Sequence, residues 1–352
     1  MYWGGKMDTM RRQALRPNRC GRRARHVFAV AALGILVAAC NSQLPVAPQL
    51  INQADSSAVS RPSDVRAGDY NGAVEFQGVQ RTFILHVPPN HDGRTALPLV
   101  VMLHGGFGSA VNAARDYGWP AKADAEGFYA LFPDGLGTVQ TWNAEHCCGF
   151  ALDNNVDDVG FLRALIGGLG RLLPIDSKRV FATGMSNGAM LSYRLGAEAS
   201  DLFAAIAPVE GTIGGQVDAR FPVVQIPTPK GPIPLIIFHG TADMSVLYSG
   251  GPSQSPVSEG RIDLSVAEAV QFWISANQTA TTPVTDTSAS GNVIKDTYAA
   301  MGTRGDVVLY TIVGQGHAWA GGLKPFPAAD PPSTEISATD AIWEFFKNHA
   351  MP

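Results

Sequence analysis

Short, almost wholly apolar runs recur along this 352-residue chain, and they constrain its fold more than any other feature. A half-exposed strand alternates apolar with polar residues, whereas a strand covered on both faces of a parallel sheet is apolar nearly throughout. We therefore expect a mostly parallel central sheet. The runs are RTFILHVP (81–88), PLVVMLHG (98–105), GFYALFP (127–133), RVFATGM (179–185), FAAIAPV (203–209), PLIIFHG (234–240) and VVLYTIV (307–313).

Helical patterns separate these runs. In residues 156–173, apolar side chains recur at spacings of three and four, which gives one apolar stripe. Ser265 and Glu268 have the spacing of a capping box, and an apolar cluster at 342–346 predicts a closing helix. Strands alternating with helices predict an α/β domain of doubly wound type, with helices flanking the sheet. We place this single domain at 69–352 and interpret the Thr/Ser-rich stretch 279–291 as a surface loop within it.

The first 39 residues have the pattern of a signal peptide. An Arg-rich segment (11–26) precedes the apolar run VFAVAALGILVAA (27–39), which is short for a membrane span. A membrane-anchor helix is the alternative. The run ends in VAAC, which resembles a bacterial lipobox, so we expect Cys40 to be lipidated and 40–68 to form a flexible tether. The protein would then be exported and anchored on the periplasmic or extracellular face of a membrane; export without lipidation would leave it secreted.

Charge and cysteine content exclude two classes of protein. The formal net charge is −4, and many of the basic residues belong to the leader, so the domain itself is more acidic. An acidic domain without a basic cluster is a poor nucleic-acid binder. Of the four cysteines, Cys20 and Cys40 precede the domain, which leaves Cys147 and Cys148. A disulfide-stabilised scaffold is therefore excluded.

The segment GMSNG (184–188) matches the GxSxG pattern of a nucleophile elbow. It follows a predicted strand and precedes a predicted helix, which is the context that a serine nucleophile requires. The glycines on either side remove side chains that would clash in so sharp a turn. Ser186 is therefore the candidate nucleophile.

In α/β-hydrolases the acid and the base follow the serine, in that order. His317 and His349 are the histidines in the expected region; His317 lies in the Gly-rich loop GQGHAWAGG after a strand, and we prefer it. Asp243 directly follows the strand PLIIFHG, at the edge where open α/β sheets carry functional residues. Asp201, Asp218 and Asp263 are instead expected at the surface or at helix caps.

An oxyanion hole needs two backbone N–H groups. The N–H of Asn187 follows the nucleophile, and the loop HGGFG after the strand at 98–105 supplies a second, from Gly106 or alternatively from Phe107. We also expect Phe107 to contact substrate.

Together these motifs resemble the bacterial polyhydroxybutyrate depolymerase and feruloyl esterase group of α/β-hydrolases. The resemblance runs from about Asp69 to the end and is carried by LHGGFGSA, CCGFALDNNVDDVGFL, GMSNGAM, HGTAD, VLYSGG and GQGHAWAGG. It implies an α/β-hydrolase fold and hydrolysis of carboxylic esters through an acyl-enzyme, without metal or cofactor. It also implies the triad Ser186, Asp243 and His317, and Trp319 as a neighbour of the substrate. Ala320 and Gly106 depart from many members, which have Pro and Cys there.

Further residues have two interpretations each. Trp142 and Trp319 form either an apolar platform for substrate or part of the core, and Tyr248 lines the cleft in our interpretation. Cys147 and Cys148 are either a strained disulfide beside the site or two free thiols.

Asp157 and Asp158 form either an acid–base pair or, as we prefer, the negative first turn of a helix.

Three functions fit the sequence. The leading one is a serine esterase acting on short hydroxyalkanoate oligomers, feruloyl esters or other small esters; the sequence ends after its closing helix, so we expect soluble substrates rather than insoluble polymer. A serine peptidase on the same fold and a non-catalytic surface lipoprotein are the alternatives. The expected partners are thus an ester substrate and, through the lipid anchor, a membrane.

Overall fold

The computed structural model describes residues 48–53, 58–59, 61–258 and 260–352. The predicted signal peptide, the lipobox and Cys40 lie outside the described residues. In the part of the chain that is described, no helix combines the length and the apolar character needed to cross a membrane.

Strands dominate the described chain and form two sheets. Twelve belong to one large sheet, and β9, β10, β12 and β13 form a small antiparallel sheet beside it. The strands are β1 Gln49–Asn52, β2 Ala58–Val59, β3 Gly68–Phe76, β4 Val79–Val87, β5 Leu97–Leu103, β6 Tyr129–Pro133, β7 Ile175–Met185, β8 Ala205–Val209, β9 Gly214–Gln216, β10 Val224–Gln225, β11 Leu235–Gly240, β12 Gly251–Pro252, β13 Ile262–Asp263, β14 Val284–Thr287, β15 Val293–Tyr298 and β16 Val307–Ile312.

The centre of the large sheet is parallel, as the apolar runs predict. Its order is β14-β15-β16-β11-β8-β7-β5-β6-β4-β3-β1-β2, and the six strands from β16 to β6 run parallel. The strands outside them pair antiparallel. All seven predicted strands are present. Because the parallel strands point the same way, their carboxyl ends meet at one edge, which is where an α/β fold carries its site.

Helices cover both faces of this sheet. They are α1 Ala110–Asp116, α2 Trp119–Glu126, α3 Gly149–Asp153, α4 Asp158–Leu169, α5 Asn187–Glu198, α6 Val266–Asn277 and α7 Ala338–Phe346. The predicted capping box of Ser265 and Glu268 starts α6, and the predicted closing helix is α7. Asp157 caps α4 by accepting from the Gly160 N–H at 2.8 Å, and Asp158 is its first residue.

Alternate residues of the central strands enter two separate cores. In β5, Leu99 and Val101 pack with α4, α5 and α6, whereas Val100 and Met102 pack with α1, α2 and α7. All four of these β5 side chains are completely buried. Because these strands are buried on both faces, they do not alternate apolar with polar residues. The prediction of a mostly parallel sheet covered on both faces is confirmed. The fold is of the α/β-hydrolase type.

The sheet extends further than the sequence indicates. β1 and β2 lie in the segment 40–68 that we expect to be a tether, and β1 pairs with β3 because Leu50 is apolar and buried there. The Thr/Ser-rich stretch 279–291 contains β14, which forms an edge hairpin with β15. Its four residues are all exposed, so they lack the apolar pattern that reveals a strand.

A charged contact ties the antiparallel flank to a helix. His86 of β4 lies opposite Asp69 of β3, and its ring is also next to Asp124 of α2. The Nδ1–Asp69 distance is 2.6 Å and the Nε2–Asp124 distance is 2.9 Å. Both ring nitrogens donate only when the imidazole is protonated. Burial acts to lower the pKa of His86, but the hydrogen bonds to the two carboxylates outweigh it, and the pKa is raised.

This contact makes stability depend on pH. A raised folded-state pKa contributes stability that is complete below the unfolded pKa of about 6.5 and is lost as pH rises through the folded value. We expect His86→Gln to lower the free energy of unfolding by on the order of 1 kcal/mol at pH 6, and by progressively less at higher pH. Urea unfolding from pH 5.5 to 9 measures this. A constant difference across that range would contradict the protonated contact; Glu75→Gln, at an exposed position of β3, is the control.

Candidate active site

Ser186 occupies the turn between β7 and α5. Its backbone has φ 56° and ψ −119°, a region that costs energy for a residue with a side chain. Its N–H donates to the Val209 carbonyl of the neighbouring strand β8 at 2.9 Å, which holds the turn at the sheet edge. The hydroxyl does not cap the helix, so it is left available for another contact.

The two flanking glycines allow the turn because nothing larger fits. A Cβ on Gly184 would lie 2.5 Å from the backbone of Gly188. A Cβ on Gly188 would overlap the carbonyl oxygens of Leu103 and His104, at the end of β5. Backbone contact at these glycines is what places the nucleophile helix against the loop that follows β5.

That loop, 104–108, lies beside the serine. A Cβ built on Gly105 would be 3.4 Å from the Ser186 Cβ. In the described chain, the N–H groups of Gly106 and Phe107 have no backbone acceptor, and the N–H of Asn187, as the first residue of α5, has no intrahelical partner. Unpaired N–H groups converging near a serine hydroxyl are the requirement of an oxyanion hole.

The side chain of His104 forms hydrogen bonds that hold this loop. Its Nε2 accepts from the Gly135 N–H at 2.9 Å, so Nδ1 carries the proton and donates to the Gly105 carbonyl at 2.7 Å. Burial lowers the pKa of His104, which keeps the ring neutral. The Trp142 ring packs against it at 4.9 Å and donates through Nε1 to the His104 carbonyl.

His317 and Asp243 meet at the same edge of the sheet. His317 follows β16 and Asp243 follows β11, and the two strands are parallel neighbours. The His317 Nδ1 lies 2.7 Å from the Asp243 Oδ2, while Oδ1 accepts from the N–H groups of Ser245 and Val246. Burial acts to raise the pKa of Asp243, but the charge and hydrogen bond of His317 outweigh it and lower that pKa.

The remaining predicted site residues differ in how deeply they are buried. Phe107 is 66% exposed and has φ 65°. Trp142 and Trp319 are both buried; the Trp319 Nε1 donates to Thr339 and its ring stacks on Tyr117. Tyr248 is half-buried, with its hydroxyl 2.8 Å from that of Thr311. Phe107 is thus the most exposed aromatic residue of this set.

Cys147 and Cys148 are joined by a disulfide, and the peptide bond between them is cis. Cys147 packs with Met190 of α5 and Val246 of the Asp243 loop. The pair therefore lies between the helix that follows Ser186 and the loop that carries Asp243. Arg261 reaches both sulfurs, and its Nη2 donates to the Ser245 carbonyl at 2.7 Å.

Sequence reasoning missed several residues of this neighbourhood. Glu210 directly follows β8 and lies near Asp243 and His317; its position at a strand's carboxyl end was the available signal. The prediction for Asp263 was wrong, because it is buried and ion-paired with Arg261 at 2.9 Å. Asp330 accepts from the His317 N–H at 2.7 Å, and nothing in its sequence context indicates this.

Glu210, Asp243 and His317 place one ligand atom each within 4.8 Å of one another, a spacing that would suit a cation. In this structure the Asp243 and His317 atoms bond to each other directly. The two Glu210 oxygens accept from the Gly240 N–H at 3.0 Å. Asp243 and His317 are thus bonded to each other, and Glu210 is bonded to Gly240 and Gln315.

This chain is similar in sequence to known proteins. Residues 81–274 match the profile of the family described as Esterase PHB depolymerase. NocK of Nocardia uniformis subsp. tsuyamanensis, provisionally described as an esterase, is 30% identical over 342 residues, which is 89% of this chain and 96% of NocK.

Other relatives match a smaller part. Feruloyl esterase B of Piromyces equi is 31% identical over 49% of this chain and 31% of its own length. Poly(3-hydroxyalkanoate) depolymerase C of Paucimonas lemoignei is 28% identical over 36% of this chain and 30% of its own. Among solved structures, acetyl xylan esterase from Aspergillus awamori superposes with a TM-score of 0.52 at 15% identity, over 86% of this chain and 99% of that one, which shows a shared fold.

The Asn187 side chain joins the nucleophile helix to the loop at 142. Its Oδ1 accepts from the Trp142 N–H at 2.7 Å and its Nδ2 donates to the Trp142 carbonyl at 3.0 Å. Without Asn187 the buried Trp142 N–H loses its acceptor, at a cost of about 1–3 kcal/mol. The Trp142 carbonyl keeps the Cys148 N–H at 3.3 Å and loses one of two hydrogen bonds, worth about 1 kcal/mol. We expect Asn187→Ala to lower the free energy of unfolding by about 2–4 kcal/mol.

Denaturant unfolding measures this loss. Asn154→Ala, which removes a single exposed side-chain hydrogen bond to the Phe150 carbonyl, is the matched control and should cost less than about 0.5 kcal/mol. Equal losses in the two variants would show that Asn187 does not hold the loop.

Proposed function

Because the chain belongs to the Esterase PHB depolymerase family and is a carboxylic ester hydrolase of the α/β-hydrolase type, we propose that Ser186, His317 and Asp243 form its catalytic triad. The observation that carries this proposal is the 2.7 Å hydrogen bond between His317 and Asp243, at the sheet edge where Ser186 occupies its strained turn. The contact between the Ser186 hydroxyl and the His317 ring is part of the proposal.

The reaction follows from the roles of these groups. The Ser186 Oγ attacks the ester carbonyl while His317 Nε2 takes its proton, and Asp243 stabilises the imidazolium that forms. The N–H groups of Asn187 and Gly106 bind the oxyanion of the tetrahedral intermediate. Collapse of the intermediate transfers the proton from His317 to the departing alcohol and leaves an acyl-Ser186. Water, deprotonated by His317, then releases the acid and regenerates the serine.

We propose small soluble esters as substrates: short hydroxyalkanoate oligomers, feruloyl esters or similar compounds. The names of the relatives support this range, and so does Phe107, whose exposed ring belongs to the loop 104–108 beside Ser186. An exposed aromatic ring offers stacking to an aryl acyl group and apolar contact to an alkyl one.

Replacing the nucleophile tests the function. We expect Ser186→Ala to lower kcat for p-nitrophenyl acetate by about 10⁴-fold or more, because no other group forms the acyl-enzyme. The matched control is Ser192→Ala, a buried serine of the same helix that bonds only the Gly188 carbonyl. Undiminished turnover in Ser186→Ala would overturn the triad.

Two further assays on the same protein preparation distinguish an esterase from a serine peptidase and from a non-catalytic lipoprotein. A serine peptidase would cleave peptide amides at least as well as the matching esters. A non-catalytic lipoprotein would fail to react with a fluorophosphonate at Ser186 while remaining folded.

A substrate panel tests the role of Phe107. On methyl ferulate, acetylated xylan and hydroxybutyrate oligomers, we expect Phe107→Ala to raise KM for the ferulate about three- to tenfold, because a ring–ring contact is lost. KM for p-nitrophenyl butyrate should change less. Val284→Ala, an exposed apolar residue on the far edge strand, is the control. An equal change for every ester would place Phe107 outside the acyl-binding surface.

A further inference from the structure

Glu210 is a fully buried acid that the reaction described above does not use. It directly follows β8, has φ 52°, and none of its surface is exposed to solvent. Its Oε1 accepts from the Gln315 Nε2 at 2.9 Å, and both of its oxygens lie 3.0 Å from the Gly240 N–H. A buried acid in a strained backbone conformation implies a specific role.

The carboxyl groups of Glu210 and Asp243 both lie near the ring of His239. The His239 Nε2 lies 3.4 Å from the Glu210 Oε2 and 3.5 Å from the Asp243 Oδ2. Its proton goes elsewhere, because the same nitrogen is 2.7 Å from the Val246 carbonyl, which can only accept. The His239 Nδ1 is buried without a partner in the described chain, which disfavours a second proton. The His239 Nε2 proton is therefore directed at Val246 rather than at either carboxyl group.

The other charges nearby are already paired. Asp263 is close enough to act on Asp243, but Arg261 holds it at 2.9 Å. His146 lies 3.9 Å from Asp263 and is buried. Within the described residues, no arginine or lysine forms an ion pair with Glu210 or with Asp243. Among the described residues, the nearest possible source of positive charge for the pair is His317, at 2.7 Å from Asp243.

Resting on the proposed triad, we propose that Glu210 is a positioning residue that stays protonated through the reaction and donates its proton to Asp243. Oxygens of the two buried carboxyl groups lie within 4.8 Å of each other. Ionising both at neutral pH is unfavourable at that separation. Burial and the charge of Asp243 raise the pKa of Glu210 well above its ordinary range. Asp243 already accepts from Ser245 and Val246 on one oxygen and from His317 on the other. In the proposal, the proton of Glu210 adds a fourth hydrogen bond that restricts rotation of this carboxylate.

The proton on Glu210 also matters for the base. An ionised Glu210 would add a second negative charge within 4.8 Å of the His317 ring. Such a charge favours the imidazolium and reduces the fraction of His317 that is neutral and able to accept the Ser186 proton. A neutral Glu210 positions Asp243 without that penalty.

Replacing Glu210 by glutamine tests whether Glu210 is protonated or ionised. Gln keeps a donor toward Asp243 and an acceptor toward Gly240 and Gln315. We expect Glu210→Gln to hold kcat for p-nitrophenyl acetate within about threefold and to leave the acid limb of the kcat/KM pH profile unmoved. Glu210→Leu removes the donor, and its kcat should fall about 10- to 100-fold with little change in KM, since a hydrogen bond to a charged group is lost. Glu344→Gln, exposed on α7, is the control.

Infrared difference spectra give a readout that does not depend on turnover. The spectrum of the wild type minus that of Glu210→Gln at pH 7 should contain the carbonyl stretch of a protonated carboxylic acid. The same band should persist in a Ser186→Ala background. If Glu210→Leu does not fold, this band and the Glu210→Gln profile still decide.

Three results would overturn the proposal: a shift of the acid limb to lower pH by about one unit in Glu210→Gln, a loss of kcat in that variant as large as in Glu210→Leu, or a difference spectrum without the acid band. Failure of the proposed function is distinct, because full hydrolysis by Ser186→Ala would remove the triad and leave the band in place.

Discussion

The close approach of backbone at Gly184 and Gly188 is the constraint on which the site depends. It lets β7 turn into α5 within one residue, and it forces Ser186 into a conformation that costs about 1–3 kcal/mol. The helix that follows offsets this cost, because Leu191, Tyr193 and Leu195 are wholly buried and contribute roughly 1.5–3 kcal/mol each. The turn is thus maintained by packing at both of its ends, and the hydroxyl remains at the sheet edge.

How far the sequence predicts this arrangement depends on how local each feature is. The central strands were predictable because two-sided burial makes them apolar throughout, and Asp243 because it ends such a strand. The exposed strand β14 has no such pattern, and the small apolar contribution of Leu50 does not reveal β1. The side-chain contact of Asn187 with Trp142 joins residues 45 positions apart, so spacing along the chain carries no signal of it.

The loop from 134 to 148 shows how such long-range contacts assemble a site. Asp158 is buried in an ion pair with Arg81 at 2.8 Å, and its second oxygen accepts from the Asn143 N–H. Asn187 holds the neighbouring Trp142, and the Cys147–Cys148 pair packs on Met190 and Val246. The loop is therefore hydrogen-bonded to α5 and α4 and packs against the loop that carries Asp243. The substrate preference that we propose depends, in contrast, on exposed residues such as Phe107, which a shared fold at 15% identity does not specify.

The buried acids near the site differ in what balances their charge. Asp158 has Arg81 and Asp263 has Arg261, which are permanent cations. Asp243 instead has His317, which in the proposed mechanism carries a full charge while it holds the proton of Ser186. The attraction between Asp243 and His317 is therefore stronger in the transition state than in the resting enzyme, and only an interaction that strengthens in this way accelerates the chemical step. A permanent cation beside Asp243 would neutralise it in both states, and the same carboxylate would then contribute to stability without contributing to rate.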